Sequence, residues 1–146
     1  MSAYFDASAI LPALIEEPAS AAVDDFMLAC ENDIVVSDFA AAEVASALSR
    51  LVRMGELTAA DAGARLADFD AWRAAATSNL DVQASDIRLA NVFVRRFDLM
   101  LRAPDALHVA ICRRSGDRLI TLDRRLASAA RDLGVPVTIP GEPDQA

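Results

Sequence analysis

Short apolar runs along this chain alternate with longer stretches in which apolar residues recur every three or four positions. The short runs have the length and the β-branched or aromatic side chains of buried strands. They predict five strands, at 3–5, 34–36, 80–82, 119–121 and 135–139. The longer stretches have the period of amphipathic helices, so the pattern predicts strands that alternate with helices.

Start and stop signals divide the longer stretches into seven helices. A capping residue or a first-turn proline marks a helix start, and glycine marks a helix end. The last helix is predicted at Asp123–Leu133, with a stop at Gly134. The other six are marked by Ser8, by Pro18, by Ser37 and Asp38 with a stop near Gly55, by Thr58 and Asp61, by Ser85 and Asp86, and by Pro104 with a stop at Gly116.

Strands that alternate with longer helices indicate parallel crossovers, with helices on both faces of one sheet. The predicted fold class is therefore α/β, a three-layer α/β/α sandwich with a mainly parallel central sheet. Pro136 lacks an amide donor, so we expect the strand 135–139 at an edge of the sheet. A chain of 146 residues has the length of a single domain, which we place at 1–139, with 140–146 as a loose C-terminal tail.

Charge and composition exclude several classes of function. The net charge of −8 argues against a protein that binds nucleic acid through a general basic coat. The charge is uneven, since residues 1–85 carry 4 Arg and 14 acidic residues, whereas residues 86–146 carry 10 Arg and 8 acidic residues. All 14 basic residues are Arg, and without Lys the chain cannot form a Walker A loop or a pyridoxal Schiff base. The five glycines never approach the G-x-G-x-x-G spacing of a dinucleotide-binding turn.

The chain carries no pattern typical of export or membrane insertion. Its first residues lack a basic region, and no apolar run approaches the ~20 residues of a membrane span. Cys30 and Cys112 are isolated, without the paired spacing of a zinc site, as is typical of free thiols in a reducing compartment. We therefore expect a cytoplasmic protein with no membrane partner.

Acidic side chains follow the predicted strands at the edge where parallel sheets bind ligands. Asp6 follows the first strand, Asp38 follows the second, and Asp123 follows the fourth. Each acid also has a structural explanation, because Asp between a strand and a helix is a preferred N-cap residue. Position alone therefore does not separate a functional acid from a helix cap.

Two further acids are harder to explain as helix caps. Glu43 lies about five residues into its helix, beyond the first-turn amides, and no basic residue stands three or four positions away. The alternative for Glu43 is a place on a solvated helix face. Asp105 follows Pro104 at the start of an almost wholly apolar helix, where a buried carboxylate needs a partner or a cation. The alternatives for Asp105 are a first-turn role at the helix dipole or an ion pair with Arg102.

The acids Asp6, Glu43, Asp105 and Asp123 would repel one another strongly if they met at the carboxyl edge of one sheet. Such a cluster is tolerated when a hard divalent cation neutralises it or when some carboxyl groups hold protons. Oxygen ligands with open water positions suit Mg²⁺ or Mn²⁺, which commonly serve phosphate substrates. A site of this kind activates water for an in-line displacement at phosphorus. The four acids therefore predict phosphodiester hydrolysis.

At these residues the sequence resembles the PIN-domain family, and in particular the VapC toxins of prokaryotic toxin–antitoxin pairs. Residues 6–8 are similar to the family's D-x-S after the first strand, and residues 121–123 to its closing T-x-D. Residues 105–110 are similar to its D-A-x-x-x-A helix, and Glu43 stands in the helix after the second strand. The resemblance covers nearly the whole chain. It implies a Mg²⁺-dependent endoribonuclease, usually a homodimer, that a cognate VapB-like antitoxin holds inactive by covering its site.

The resemblance also implies roles for the four acids. Asp6, Asp105 and Asp123 would bind the metal, with Mn²⁺ as a substitute for Mg²⁺, and Glu43 would join them in catalysis on RNA. Some relatives carry a fifth acid just after the T-x-D, and this chain does not, which leaves the number of metal ions open.

Five further residues have more than one interpretation. Ser8 and Thr121 match family residues that support the metal or its waters, with helix capping and strand packing as the alternatives. Arg124 and Arg125 can contact RNA phosphates, since Arg grips phosphate through two hydrogen bonds, with a solvated helix face as the alternative. His108 is expected as a packed, hydrogen-bonded core residue rather than a catalyst.

A second function stays open from the sequence. The alternative is a catalytically inactive PIN-like binding module, in which the acids serve only for helix capping and solubility. The presence of all four acids favours the enzyme.

Overall fold

A parallel sheet organises the structure, a computed structural model that describes residues 1–144. The sheet has five strands, which are β1 (Ala3–Phe5), β2 (Ile34–Ser37), β3 (Thr77–Leu80), β4 (Arg118–Ile120) and β5 (Val137–Thr138). Their order across the sheet is β3–β2–β1–β4–β5, and every neighbouring pair is parallel. The predicted parallel α/β sheet is therefore confirmed.

Helices precede or follow every strand. They are α1 (Ala7–Leu14), α2 (Ser20–Ala29), α3 (Asp38–Arg53), α4 (Ala59–Ala76), α5 (Ala84–Val94), α6 (Ala103–Ser115) and α7 (Arg124–Asp132), with a 3₁₀ turn at Phe97–Leu99. None of the helices within residues 1–144 is both long enough and apolar enough to cross a membrane.

Alternate residues of the central strands face opposite sides of the sheet, and both sides are covered. Tyr4 and Leu119 belong to one buried cluster with residues of α5, α6 and α7. Phe5 and Ile120 belong to a second cluster with residues of α1, α3 and α4. Burial on both faces explains why these strands read as unbroken apolar runs. The arrangement is the three-layer α/β/α sandwich that the sequence predicts.

The third strand lies earlier in the chain than the predicted 80–82. The strand β3 pairs with β2 from Thr77, opposite Ile34, to Leu80, opposite Ser37. Ser78 and Asn79, at its centre, are exposed, because β3 is an edge strand joined to the sheet through its main chain. A search for apolar runs therefore misses it. The strand β5, which follows Pro136, occupies the other edge, as predicted.

The structure decides between the caps that the sequence offers for α1. Asp6 is the N-cap, as its structural interpretation predicts, and its carboxylate accepts from the amide of Ala9 at 3.1 Å, while Ser8 lies within the helix. The helix α5 differs from the prediction, because Gln83 rather than Ser85 is its N-cap, and the Gln83 amide donates to the Asp86 carboxylate at 2.8 Å.

The segment that follows β5 contacts the body of the molecule through residue 144. Pro140 is buried, Glu142 forms an ion pair with Arg124, and the hydroxyl of Thr138 donates to Asp144 at 3.0 Å. Positions 145 and 146 of the predicted 140–146 tail lie outside the described residues.

Candidate active site

The carboxyl ends of β1 and β4 meet at one point of the sheet. Phe5 lies opposite Ile120, and the amide of Asp6 donates to the Ile120 carbonyl at 3.2 Å. Asp6 and Thr121 therefore follow the ends of two neighbouring strands side by side. The helices α1 and α7 begin within a few residues of this point, so their first-turn amides are also directed here.

Asp6 is buried and accepts three hydrogen bonds at this point. The residue is 4% exposed. One carboxylate oxygen accepts from the Ser8 hydroxyl at 2.7 Å and from the Ala9 amide, and the other accepts from the Thr121 hydroxyl at 2.6 Å. Burial raises the pKa of Asp6, while the hydrogen bonds from Ser8, Thr121 and the Ala9 amide oppose that rise. The structure thus holds an acid where water does not solvate it.

The hydroxyls of Ser8 and Thr121 connect the ends of the two strands. Ser8 Oγ accepts from the Leu122 amide at 2.9 Å, and Thr121 Oγ1 accepts from the Asp123 amide at 3.1 Å. Each hydroxyl has one proton, and each donates it to Asp6. These residues therefore orient the Asp6 carboxylate and fasten the turn that leads into α7.

Asp123 and Asp105 lie close enough for their charges to interact. Asp123 is the N-cap of α7, and its Oδ1 accepts from the amides of Arg125 and Leu126 at 2.9 and 3.1 Å. Asp105 lies in the first turn of α6, and burial and the charge of Asp123 together raise its pKa. The guanidinium of Arg102, 3.7 Å from the Asp105 carboxylate, opposes this rise. The structural roles are therefore present, since Asp123 caps α7 and Asp105 pairs with Arg102. They coexist with the interaction between the two carboxylates.

Glu43 is held by a buried histidine. Its side chain is 31% exposed, and Oε1 bonds to Nε2 of His108 on α6. His108 is itself 2% exposed, and its Nδ1 lies 2.7 Å from the hydroxyl of Tyr4 on β1. Glu43 therefore lies on a partly solvated face but is anchored from within the core.

The donor set suits a cation that keeps most of its water. Within residues 1–144, no group of three or more His, Cys, Asp or Glu side chains gathers as a ready-made metal cage. Mg²⁺ seldom uses such a cage, because it dehydrates reluctantly and binds through one or two carboxylates, several waters and substrate phosphates. Asp105 and Asp123, whose charges interact, provide hard oxygen ligands of this kind, and Thr121 connects Asp123 to the buried Asp6. These residues fit a hydrated Mg²⁺ or Mn²⁺ ion.

The two arginines that follow Asp123 are on the surface. Arg124 and Arg125 are exposed in the first turn of α7, and Arg124 pairs with Glu142. They therefore lie beside the acids in the chain and are accessible from solvent.

A family model for the PIN domain matches residues 3–132. The chain belongs to the PIN-domain family. Ribonuclease VapC46 of Mycobacterium tuberculosis (strain ATCC 25618 / H37Rv) is 34% identical to this PIN domain over 140 residues, which make up 94% of this chain and 96% of that relative. The family assigned from the sequence motifs is thus confirmed.

Solved structures share the architecture of this PIN domain. VapBC2 from Rickettsia felis, bound to a DNA fragment from its promoter, superposes with a TM-score of 0.70 at 14% identity, covering 95% of this chain and 98% of that chain. VapC20 of Mycobacterium tuberculosis, a toxin that cleaves the sarcin–ricin loop, superposes with a TM-score of 0.69 at 17% identity, covering 88% and 95%. At these identities the similarity confirms the fold.

Sequence reasoning missed the partners of His108. It placed this residue in the core as a hydrogen-bonded histidine, which agrees with its burial, but it assigned no contact between His108 and Glu43 or Tyr4. The available signal was a lone polar residue on an otherwise apolar helix, one turn from Asp105.

Proposed function

We propose that this PIN domain is a divalent-metal-dependent endoribonuclease that hydrolyses RNA phosphodiester bonds and acts as the toxin of a VapBC-type pair. The observation that carries the proposal is the buried acid Asp6 at the end of β1. The neighbouring strand β4 leads to Asp123, which lies close enough to Asp105 to add to the rise in pKa that burial causes there. Folds tolerate such crowding where a cation compensates for it. The similar protein VapC46 is named as a ribonuclease, which supports the reaction class.

The three aspartates and Glu43 have different roles in this proposal. Asp6, Asp105 and Asp123 would hold Mg²⁺, with Mn²⁺ as a substitute, and Ser8 and Thr121 orient Asp6. When bound, the cation would supply positive charge that acidifies water and polarises a phosphoryl oxygen.

In this proposal Glu43 moves a proton. Its Oε1 is engaged by His108, and its Oε2 accepts the proton of the water that attacks phosphorus. The bond from that oxygen to phosphorus forms as the bond to the ribose oxygen breaks. The leaving oxygen takes up a proton from solvent, to which Glu43 returns the proton that it accepted. The products are a phosphate monoester and a free hydroxyl.

The partners of this chain are proposed from its relatives. Several structural neighbours were solved as VapBC complexes, including one from Haemophilus influenzae and one from Salmonella typhimurium bound to DNA. By analogy, a VapB-like antitoxin covers the site of this chain, which acts in the cytoplasm as a homodimer. Arg124 and Arg125, exposed beside Asp123, contact the phosphates of the RNA substrate.

RNA cleavage with and without metal tests the proposal. Purified protein should cleave RNA in Mg²⁺ or Mn²⁺ and lose this activity in excess EDTA. Asp105→Asn should remove the activity, whereas Asp24→Asn, at an exposed acid on α2, should retain it. Cleavage that persists in EDTA would show that metal is not required. A folded Asp105→Asn protein with full activity would overturn the site, and absence of cleavage by the wild type would favour the inactive binding module.

Metal binding can be measured without RNA. If the acids share a site, Mn²⁺ should raise the melting temperature of the wild type, because a ligand at 100 times its Kd stabilises the folded state by about 2.7 kcal/mol. The increment should be smaller in Asp105→Asn and unchanged in Asp24→Asn. Equal increments in all three proteins would assign the metal to another place.

A further inference from the structure

A chain of hydrogen bonds runs through the core from β2 to the candidate active site. Ser37 Oγ lies 2.8 Å from the hydroxyl of Tyr4, and that hydroxyl lies 2.7 Å from Nδ1 of His108. On the other side of the imidazole ring, Nε2 contacts Oε1 of Glu43. Ser37 and Tyr4 are completely buried and His108 is 2% exposed, so solvent reaches the chain only at its Glu43 end.

Assigning a donor and an acceptor to each contact gives this chain of hydrogen bonds a direction. A carboxylate only accepts hydrogen bonds, so Nε2 of His108 must carry a proton and donate it to Glu43. In the neutral imidazole Nδ1 is then an acceptor, and the Tyr4 hydroxyl donates to it.

The hydroxyl of Ser37 is the last donor in this chain of hydrogen bonds. Ser37 Oγ accepts from the Ala40 amide at 3.0 Å and donates to the oxygen of Tyr4. Every proton then has an acceptor, in agreement with the absence of any unpartnered buried side-chain nitrogen or oxygen within residues 1–144. With a doubly protonated imidazole, Tyr4 would donate to Ser37 instead, and the Ser37 proton would lose its acceptor in this chain. The neutral Nε2–H form of His108 therefore satisfies the whole chain.

Packing holds the imidazole in one orientation. The ring of Tyr4 meets it edge-on, with centroids 5.7 Å apart, and the ring of Phe39 lies against it at 5.2 Å. Tyr4 belongs to β1 and Phe39 to α3, while His108 itself belongs to α6. Three elements thus set the direction of the Nε2–H bond before any substrate binds.

We propose that His108 is a positioning residue of the site, which donates from Nε2 to Glu43 and directs its second carboxylate oxygen toward the reacting phosphate. The inference rests on the catalytic role proposed for Glu43. It explains why a polar chain crosses an apolar core, since replacing buried polar networks by apolar residues of similar volume is often neutral or stabilising. In this proposal the chain of hydrogen bonds holds the carboxylate of Glu43 in position.

Nuclear magnetic resonance tests the geometry without activity. His108 is the one histidine of the sequence, so its imidazole nitrogens give an unambiguous spectrum. We expect ¹⁵N shifts of the Nε2–H tautomer and a slowly exchanging Nε2 proton. Glu43→Gln should shift that proton resonance, and Tyr4→Phe should weaken the tautomer preference. An Nδ1–H tautomer, or a spectrum unaffected by Glu43→Gln, would overturn the proposal.

Two amide substitutions separate positioning from folding. The side-chain nitrogen of Gln can occupy the place of Nε2, so His108→Gln retains a donor to Glu43, whereas His108→Asn reaches only the place of Nδ1, facing Tyr4. Losing a hydrogen-bonding partner that orients a metal ligand typically costs about 10–100-fold in activity, and we expect a comparable cost for a partner that orients the carboxylate of Glu43. We expect His108→Asn to lower kcat by about that factor with little change in KM, and His108→Gln to restore part of kcat.

Tyr4→Phe keeps the packed ring and removes one hydroxyl, which makes it a second test should His108→Asn fail to fold. It should lower kcat and leave KM nearly unchanged. Equal kcat in wild type, His108→Asn and His108→Gln would overturn the positioning role while leaving the proposed nuclease intact. A wild type that shows the Nε2–H tautomer but cleaves no RNA would overturn the proposed function and, with it, the catalytic purpose of this contact.

Discussion

Asp6 and Asp105 share a pKa raised by burial but differ in their support. Three donors surround the carboxylate of Asp6, whereas Asp105 interacts with another carboxylate, Asp123, and the guanidinium of Arg102, 3.7 Å away, compensates in part. A raised pKa means that folding disfavours the ionised form, so each charge destabilises the protein at neutral pH. The proposed metal site therefore carries a cost in the stability of the metal-free protein.

Removing the charge of Asp105 should stabilise the metal-free protein. The pKa of Asp105 is higher in the folded than in the unfolded chain, so the cost of its ionisation is present above the folded pKa and disappears below the unfolded one. Asp105→Asn should therefore raise the melting temperature in EDTA at pH 7, and the gain should shrink as the pH falls through the raised pKa. Thermal unfolding at a series of pH values measures this.

Asp98→Asn is the matched control for that experiment. The hydrogen bond from Arg96 lowers the pKa of the exposed Asp98, so the ionised form is favoured in the folded state. This variant should not raise the melting temperature at pH 7. A lower melting temperature for Asp105→Asn than for the wild type would show that the carboxylate stabilises the fold as a first-turn acid instead.

At the scale of elements, the start of α7 combines a helix cap with a candidate metal ligand. Asn accepts from first-turn amides as Asp does, whereas Ala leaves them without that partner. Asp123→Ala should cost about 1 kcal/mol of unfolding free energy, and Asp123→Asn much less. Both variants should lose RNA cleavage, because both remove the charge. Denaturant titration and an RNA assay on the same samples check this, and full cleavage by Asp123→Asn would reduce Asp123 to a cap.

The helices α5 and α6 are joined by an ion pair away from the acids. Arg114 donates to both carboxylate oxygens of Asp86 at 2.7 and 2.9 Å, and the Asp86 side chain is 1% exposed. Burial raises the pKa of Asp86, but Arg114 and the amide of Gln83 outweigh this, so the net pKa is lowered. The pair therefore stabilises the fold above the unfolded pKa and loses this effect as the pH falls through the folded one.

Arg114→Met should be strongly destabilising, because it leaves the carboxylate of Asp86 buried without its partner. We expect a loss of about 3 kcal/mol of unfolding free energy at pH 7 and a smaller loss in acid, where Asp86 is protonated in both proteins. Arg88→Met, at an exposed position of α5, is the control and should have little effect. Equal stability of Arg114→Met and the wild type would mean that solvent compensates for Asp86.

At the scale of the whole molecule, charge is distributed unevenly around an acidic total of −8. The proposed RNA substrate would therefore approach through local basic groups rather than a general positive field. Arg124 and Arg125 are such groups at the start of α7, although Glu142 pairs with the first of them. The proposed contacts between these arginines and RNA phosphates would therefore be few, and they would weaken as the salt concentration rises.

Neutralising these two arginines should weaken RNA binding and flatten its dependence on salt. Each phosphate contact with a single strand contributes about 0.7 to the slope of log K against log salt, so Arg124→Gln with Arg125→Gln should lower the slope by up to about 1.4. Arg65→Gln with Arg88→Gln, at exposed positions of α4 and α5, is the control. Binding of a catalytically inactive Asp105→Asn background measured at several salt concentrations gives the slopes, and an unchanged slope would assign Arg124 and Arg125 to the solvated surface.

Much of the fold was predictable because local patterns report burial. Strands covered on both faces, such as β1 and β4, read as short apolar runs, and a glycine of positive φ ends α6 at Gly116. The edge strand β3 was displaced, since its polar residues are held through the main chain and leave no apolar pattern. The positions of Asp6 and Asp123 followed from the rule that parallel strands end at a common edge.

The sequence by itself determined the succession of strands and helices along the chain, the layers that cover the sheet, and the acids that follow the strands. Only the tertiary structure decided which of these groups touch, because Tyr4 and His108 are 104 positions apart, and Glu43 and His108 are 65 apart. A short-range pattern records whether a side chain is buried, but the partner of a buried polar group depends on how parallel crossovers bring distant segments together. The contact between His108 and Glu43 is therefore a property of the assembled core.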